Sequence, residues 1–459
     1  MEPATFVTTD MTHVFPREFD RVYPLIVRGE GMWLYDATGR AYLDALGGGA
    51  MVCSIGHNVP EIIEAAEAQA RKISFLYNQQ FTSPAQEQLA AELCGVAPPG
   101  MTRVHFTSGG SEANETALRL IRSYHVERGE ASRTRIITQA QAYHGPTMAT
   151  LGLTGRPALR YPYDPYIQNQ LYVPPSTWRF DPTGQLALEA VDAHIEREGA
   201  ESIAAFMCEP VSAAALPAYT PPEAFWRGLA ERRERHGFLI ALDEVVTGLG
   251  RTGSWFAADR LPFVPDIIAT AKGLGAGFAP VGAVIAAQHV FDAVADGSRN
   301  FEAGHTWDGA PLPCAVGVAV IAYLKDHGLI DAVRERGPGV RRHLEDALGG
   351  SDIVREVRGQ GFLFGIEYVD PRDGESFLPP ELGVARRIDV AALENEVLLY
   401  STQPTVDGYA GDQTLLAPAF TATDAEIGAM VERVAASVAT VEAEVKHQLI
   451  SKDAKPVAV

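Results

Sequence analysis

Cysteine is scarce in this sequence of 459 residues, and the four cysteines, Cys53, Cys94, Cys208 and Cys314, are widely separated. No two of them lie at a CxxC spacing, so the sequence does not predict a structural zinc site. Sparse, scattered cysteines are typical of proteins from reducing compartments. We therefore expect a cytoplasmic protein that is not held together by disulfides.

Basic residues and long apolar runs are also lacking. Lys and Arg number 38 against 58 Asp and Glu, a formal net charge of −20. A nucleic-acid binder needs a basic face for the phosphates, so we expect no nucleic-acid partner. The longest apolar run, about residues 312–324, is too short to span a bilayer, and the first residues lack the apolar core of a signal peptide. We expect no membrane partner.

The composition is that of an ordinary globular protein, with 46% hydrophobic and 21% charged residues. The length exceeds what one compact core accommodates, so more than one domain is expected. Hairpin-like segments come first, strand-and-helix alternation begins near residue 60, and the composition changes again near residue 330. We predict a large domain at 61–328 and one small domain built from 1–60 and 329–459.

Five apolar segments alternate with helical segments in the middle of the chain, which is typical of a parallel sheet covered by helices. The segments are RVHFTS, RIITQAQ, SIAAFMCEP, GFLIALDE and PDIIATAK. We therefore predict an α/β fold with a mostly parallel central sheet flanked by helices, and a smaller α+β domain made from both chain ends. Ser83, Thr220 and Thr423 are predicted to cap helices that follow them.

Polar residues follow several of these strands, where parallel sheets bind ligands. The turn Ser108–Ser111 presents glycine N–H groups at a helix start, which suits an anion, although a plain glycine turn has the same sequence. Tyr143 could stack on a flat ring or lie on the surface. The acidic residues Asp243 and Glu244 could cap a helix, reach water or bind a metal. No cluster at metal spacing accompanies them, so we expect no metal.

Lys272 follows a fully apolar strand and precedes a glycine-rich turn, where a desolvated, imine-forming amine would lie. Most lysines are exposed and inert, so the position of Lys272 alone does not identify it as an imine-forming amine. Together with the anion turn, the aromatic Tyr143 and the carboxylates Glu209 and Asp243, it matches the needs of one cofactor. Pyridoxal 5′-phosphate has a phosphate, a flat ring, a pyridine nitrogen and an aldehyde.

At these residues the sequence resembles the class III pyridoxal-phosphate-dependent aminotransferases, the omega-transaminase-like enzymes of fold type I. The stretches that carry the resemblance are TSGGSEANE, AYHG, LDEVVTGLGRTG and ATAKGLGAG, in this order. The resemblance implies that Lys272 binds the cofactor as an imine and that Asp243 pairs with the pyridine nitrogen. The residues that it places at the cofactor are Gly110, Ser111, Tyr143, His144, Glu209, Asp243, Val245, Lys272 and Thr306.

The same resemblance implies an aminotransferase that moves an amino group from an amine or omega-amino acid to a 2-oxo acid such as pyruvate, by a ping-pong mechanism through an aldimine. A racemase, an epimerase or a decarboxylating transaminase would share these motifs, and a non-catalytic binding protein could keep the fold. Thr306 would reach the phosphate of a neighbouring subunit, which implies a homodimer with shared active sites, or a tetramer.

The sequence departs from the family where many members carry an arginine that binds the substrate carboxylate. Ala410 stands at that position, and Ala419 replaces the second proline of the segment that follows. Two interpretations remain open: Arg160 or Arg251 takes the carboxylate, or the donor has no carboxylate near the reacting carbon. The loop 77–80, which includes Tyr77, is expected to line the entrance, and its uncharged polar residues favour a hydroxyl or amide on the substrate.

Overall fold

A computed structural model describes residues 6–168 and 170–453; the outermost parts of the predicted small-domain segments, 1–5 and 454–459, lie outside it. The strands are β1 Phe6–Val7, β2 Tyr23–Pro24, β3 Ile26–Glu30, β4 Trp33–Asp36, β5 Ala41–Asp44, β6 Met101–Thr107, β7 Arg135–Gln139, β8 Leu171–Val173, β9 Ile203–Cys208, β10 Leu239–Asp243, β11 Ile267–Thr270, β12 Gly282–Ala287, β13 Val354–Gln360, β14 Leu363–Tyr368, β15 Val397–Leu398, β16 Tyr400–Thr402 and β17 Gln413–Leu416. The α-helices are α1 Pro60–Ala70, α2 Pro84–Val96, α3 Gly110–Glu127, α4 Met148–Leu153, α5 Pro157–Arg160, α6 Gln185–Glu198, α7 Glu223–His236, α8 Gln288–Asp296, α9 Pro311–Asp326, α10 Leu329–Leu348, α11 Val384–Glu394 and α12 Asp424–Asp453.

The central sheet has seven strands in the order β6-β12-β11-β10-β9-β7-β8. The four pairings from β11 to β8 are parallel, and β12 is antiparallel to both β11 and β6. All five apolar segments found in the sequence form strands of this sheet. Every residue of β9, β10 and β11 is buried, as expected for strands covered by helices on both faces.

Two of the three predicted helix caps are confirmed. Ser83 Oγ accepts a hydrogen bond from the backbone N–H of Gln86 at 3.2 Å, and α2 follows. Thr423 Oγ1 accepts from the N–H of Glu426 at 3.2 Å, while Glu426 Oε2 accepts from the N–H of Thr423 at 2.8 Å. This reciprocal pair is a capping box at the start of α12.

The prediction of Thr220 as a cap is wrong. Helix α7 begins at Glu223, and Pro222 occupies the capping position with no side-chain hydrogen bond. Pro221 precedes a second proline, which disfavours a helical backbone at Pro221, so the helix begins only after the proline pair. The predicted end of this helix is confirmed, because Gly237 adopts the left-handed conformation directly after His236.

Residues from both chain ends meet in a four-stranded sheet of order β15-β5-β4-β3. Strand β15 pairs in parallel with β5, with Val397 opposite Leu43. A second sheet, β13-β14-β17-β16, is formed by the C-terminal part alone. The apolar face predicted for α12 is buried: Ile427, Met430, Val431, Val434, Val438 and Val441.

Helix α9 contains the longest apolar run of the sequence, and it packs against α1 and α2. Within residues 6–168 and 170–453, no single helix combines the length and apolar composition needed to cross a bilayer. Helices α9 and α10 meet those two criteria only when taken as one segment, across a bend of 62°.

Candidate active site

A cavity of about 610 Å³ lies at the carboxyl ends of the parallel strands. Glu209, Asp243 and Lys272 line it, and they follow or end the neighbouring strands β9, β10 and β11. Tyr143, which comes after β7, also lines this cavity. The topology thus brings together side chains that are up to 129 residues apart in sequence, and we call this space the site cavity.

Asp243 is the most firmly held of these groups. Its Oδ2 accepts from Asn114 Nδ2 at 2.7 Å and contacts His144 Nδ1 at 2.8 Å, while Oδ1 accepts from the Val245 N–H at 3.0 Å. The side chain is 5% exposed. These three contacts hold the carboxylate of Asp243 in one orientation at the cavity wall.

Lys272 has a left-handed backbone, with φ of 39°, which is unusual for a residue with a side chain. Burial lowers the pKa of its amine, and the carboxylates of Asp243 and Glu209 act in the opposite direction. The residue remains partly accessible because its side chain lines the site cavity. A neutral amine in reach of a ligand is the form that condenses with an aldehyde.

Glu209 lies beside this pair and is itself 7% exposed. Its oxygens accept from the backbone N–H groups of Ala213 at 3.1 Å and Tyr143 at 3.3 Å. Burial raises its pKa to about 7, so its charge changes near neutral pH. It holds the backbone of Tyr143 in place, which is a structural contribution to the wall of the cavity.

The turn Ser108–Ser111 leads directly into α3, whose first residue is Gly110. A Cβ atom at Gly110 would lie 2.7 Å from Cγ1 of Val245, so only glycine lets the helix start approach the segment after β10 this closely. Gly110, Ser111 and Val245 all line the site cavity. The helix N-terminus with its free N–H groups can therefore hold an anion such as a phosphate.

Glu244 turns away from the cavity and serves as a cap. Its oxygens accept from the N–H groups of Ala257 at 2.7 Å and Ala258 at 2.8 Å, at the start of a short 3₁₀-helix. Of the interpretations left open for the acidic pair, capping is therefore the one that Glu244 follows. Across the described part of the chain, no group of three or more His, Cys, Asp or Glu could hold a metal ion.

The residues predicted to contact substrate do not line the site cavity of this chain, and neither does Thr306, which is predicted to reach the cofactor phosphate of a neighbouring subunit. Tyr77 and Thr306 are exposed at the surface. Arg160 bonds through its guanidinium to the hydroxyl of Tyr172 and lines a different, smaller cavity. Ala410 is buried outside the cavity wall, and its N–H donates to Thr405 Oγ1 at 3.0 Å.

Arg251, the other arginine considered for a carboxylate, is 1% exposed. It donates to the carbonyl oxygens of Phe362 at 3.0 Å and Pro418, and its guanidinium lies 4.6 Å from the ring centroid of Phe420. These contacts tie the large sheet to the C-terminal part of the chain. The position gives Arg251 a structural role and not a place in the cavity wall.

Sequence reasoning missed three residues of the site. Asn114 is buried on α3 and also donates to the carbonyl of His144 at 2.8 Å. Arg17 and Arg156 line the site cavity. Asn114 lies four residues beyond Gly110, within the TSGGSEANE motif, so helical spacing could have placed it on the same face. Nothing in the local sequence marks Arg17 or Arg156.

The fold and this arrangement of Lys272, Asp243 and an anion-binding helix start define a pyridoxal-phosphate-binding protein of fold type I. Residues 14–438 match the class-III aminotransferase family model, and the chain belongs to that family. Its members depend on pyridoxal phosphate, and the residues present fit that group: an amine, a buried carboxylate, an aromatic ring and a cradle that a Cβ would fill.

Among curated proteins, the chain is similar to an uncharacterized aminotransferase, YodT, of Bacillus subtilis, with 34% identity over 95% of this chain and 99% of the relative. A hypotaurine/taurine–pyruvate aminotransferase of Paracoccus denitrificans is 29% identical over 91% and 93%. Among solved structures, an (S)-enantioselective omega-transaminase from Thermomicrobium roseum has a TM-score of 0.87 and 32% identity over 94% and 96%. The omega transaminase from Pseudomonas jessenii in complex with PMP has a TM-score of 0.88 and 26% identity over 95% and 97%.

Proposed function

We propose that this aminotransferase moves an amino group from an amine or omega-amino acid to a 2-oxo acid such as pyruvate, in two half-reactions of a ping-pong cycle. The observation that carries the proposal is the meeting of Lys272 and Asp243 in one cavity with the N-terminus of α3. The aminotransferase names of the relatives support transamination over the racemase, epimerase and decarboxylating alternatives.

We assign the cofactor contacts as follows. Lys272 would hold the aldehyde carbon, Asp243 the pyridine nitrogen, and Gly110 with Ser111 the phosphate. Tyr143 and Val245 would cover the ring. When bound, pyridoxal phosphate supplies an electron sink for the pair released when the substrate Cα–H bond breaks.

The chain itself supplies charge and proton transfer. Asn114 and the Val245 N–H donate to Asp243 and hold its carboxylate in place, where it would accept a hydrogen bond from a protonated pyridine nitrogen. Once the substrate amine has displaced it from the aldehyde carbon, Lys272, with its pKa lowered by burial, would take the substrate Cα proton as a base and would return it to that carbon of the cofactor. Glu209 supports this wall through the N–H of Tyr143.

We further propose that two copies of the chain form a homodimer with shared sites. Four large side chains are exposed near one another in sequence or space: Phe75, Tyr77, Phe81 and Trp307. The rings of Phe75 and Trp307 pack edge to face at 5.3 Å, on the segment that carries Thr306. Exposed apolar surface of this kind supports an interface, and Thr306 and Tyr77 would face the partner's cavity from it.

The first experiment adds an amine donor alone to the pyridoxal-phosphate-loaded enzyme and follows the absorbance of the cofactor. We expect conversion of the cofactor to its amino form without any acceptor, followed by return of the aldehyde form when pyruvate is added. An unchanged spectrum together with racemised donor would contradict transamination.

The second experiment replaces Lys272. The Lys272→Ala variant should keep its fold, lose turnover and no longer be linked covalently to the cofactor by borohydride. Lys446→Ala is the matched control, since Lys446 lies on the surface of α12 and pairs there with Asp352. Clear residual transamination in Lys272→Ala, or covalent labelling at another lysine, would refute the assigned role.

A further inference from the structure

Two arginine side chains line the site cavity without a partner. Arg17 and Arg156 form no side-chain hydrogen bond and no ion pair among the described residues. The acidic neighbour Glu18 instead contacts Arg21 at 3.7 Å and Arg386 at 4.0 Å. In a chain of net charge −20, cations left unpaired in a cavity have their charge available to a ligand.

Both guanidinium groups influence the same side chain of the cavity wall, that of Tyr143. Burial raises the pKa of the Tyr143 hydroxyl, and the charges of Arg17 and Arg156 oppose that rise. The two charges therefore lie within electrostatic range of the same phenol, although their residues are far apart in sequence. They come from different segments: Arg156 directly precedes α5, and Arg17 belongs to the N-terminal segment before β2.

The charged side chains of the site cavity differ in burial. Glu209 and Asp243 lie at the strand ends beside Lys272, and both are buried. Arg17 is exposed and Arg156 is partly exposed, so the arginines are more open to solvent than the two carboxylates. A molecule with an amine at one end and an anion at the other matches this polarity, with its amine at Lys272 and its anion at the arginines.

We propose that Arg17 and Arg156 together bind the distal carboxylate or sulfonate of an omega-amino acid substrate, a proposal that rests on the aminotransferase function proposed above. Guanidinium groups match the geometry of such anions and bind them through charge-assisted hydrogen bonds. This assignment agrees with the second interpretation of Ala410, a donor that has no carboxylate near the reacting carbon, because the anion that it places at the two arginines is the distal one.

The test compares donors that differ only in the group at the far end of a three-carbon chain. 4-Aminobutanoate carries a carboxylate there, 3-aminopropanesulfonate a sulfonate and butylamine a methyl group. In the double variant Arg17→Gln/Arg156→Gln, we expect KM for both anionic donors to rise about 10- to 100-fold while KM for butylamine stays the same. Arg235→Gln is the control, because Arg235 is exposed on α7 and does not line the cavity. A larger rise of KM for 4-aminobutanoate than for 3-aminopropanesulfonate assigns the site to carboxylates, and the reverse assigns it to sulfonates.

A second readout does not require turnover. Butanoate, an unreactive anion, should bind the wild-type holoenzyme in calorimetry at least about 10-fold more tightly than the double variant. The proposal is overturned if the variant binds butanoate as tightly as the wild type does, or if KM rises equally for all three donors. If the wild type transfers no amino group from any donor, the proposed function fails, whereas butanoate binding still decides whether the arginines form an anion site.

Discussion

Asn114 joins two parts of the active site through a single amide group. Its Nδ2 donates to Asp243 Oδ2 at 2.7 Å and to the carbonyl of His144 at 2.8 Å, and the residue is fully buried. The amide therefore positions the carboxylate that we assign to the pyridine nitrogen. No other side chain in the site donates to both segments.

We predict that Asn114→Ala leaves Asp243 with one donor fewer and the His144 carbonyl unpaired. The loss of buried hydrogen bonds should cost about 1 to 3 kcal/mol of unfolding free energy and weaken pyridoxal phosphate binding. Chemical denaturation and cofactor titration measure the two effects. Asn300→Ala, at an exposed asparagine, is the control. Unchanged cofactor affinity in Asn114→Ala would show that Asp243 does not need the Asn114 amide to bind the cofactor.

A second prediction concerns pH and the pair of His57 with Asp44, whose Nε2 and Oδ2 atoms are 3.1 Å apart. Asp44, and next Cys53, raise the pKa of His57 to about 10. A raised folded-state pKa means that the imidazolium stabilises the fold fully below the unfolded value of about 6.5. That contribution is lost as the pH rises from there to about 10.

We therefore expect wild type to exceed His57→Gln in unfolding free energy at pH 6, with the difference shrinking steadily toward pH 10. Denaturation of both proteins at a series of pH values measures this difference in unfolding free energy. Groups that titrate equally in the wild type and the variant cancel in the difference. A difference that is constant with pH would show that His57 contributes packing and not charge.

The sequence predicted that Lys272, Asp243 and Tyr143 meet in one site, and all three line the site cavity. Each lies at or after the end of an apolar strand, and parallel topology alone brings strand ends together. Arg17 and Arg156 lie in segments without strand or helix periodicity, so their approach to Tyr143 depends on packing across the whole chain. The proposed anion contacts could not be predicted, because these two arginines share no local pattern.

Among the elements, the start of α3 depends most closely on one neighbour. Gly110 and Val245 approach so tightly that a Cβ at position 110 would lie 2.7 Å from Val245 Cγ1. The distance links the anion-binding helix to the segment that follows β10. Small shifts between these two elements would move the helix N-terminus relative to Asp243.

We predict that Gly110→Ala displaces α3, destabilises the protein by about 1 to 3 kcal/mol and weakens cofactor binding. Val245→Ala removes both γ-methyl groups, so the double variant Gly110→Ala/Val245→Ala should recover part of the stability. Melting temperature and cofactor titration measure both effects. If the double variant is no better than Gly110→Ala alone, the contact with Val245 is not what requires glycine.

Element prediction succeeded where the signal was local. The apolar strands and the caps at Ser83 and Thr423 depend on residues within one turn of each other, and they are confirmed. The prediction for Thr220 failed because the second proline of the pair delays the start of the helix to Glu223. The antiparallel direction of β12 was not predicted, since its apolar sequence is compatible with either direction. The direction depends on how β12 pairs with its neighbours β11 and β6.

For the molecule as a whole, we predict a homodimer in solution. Sedimentation of the wild type should give about twice the chain mass of 49.4 kDa. Trp307→Asp places a charge on the exposed Phe75–Trp307 pair and should shift the protein toward monomer with loss of activity. Tyr166→Asp, at another exposed aromatic residue, is the control. A monomeric wild type with full activity would contradict the shared sites.

The pairing of β15 with β5 has a consequence for the order of synthesis. Leu43 and Ala45 bond through their N–H groups to the carbonyls of Glu396 and Leu398. Strand β5 is synthesised roughly 350 residues before β15, so the backbone groups of β5 that pair with β15 stay unpaired for most of translation. The nascent chain must protect that edge, and any premature stop before residue 397 leaves it permanently exposed.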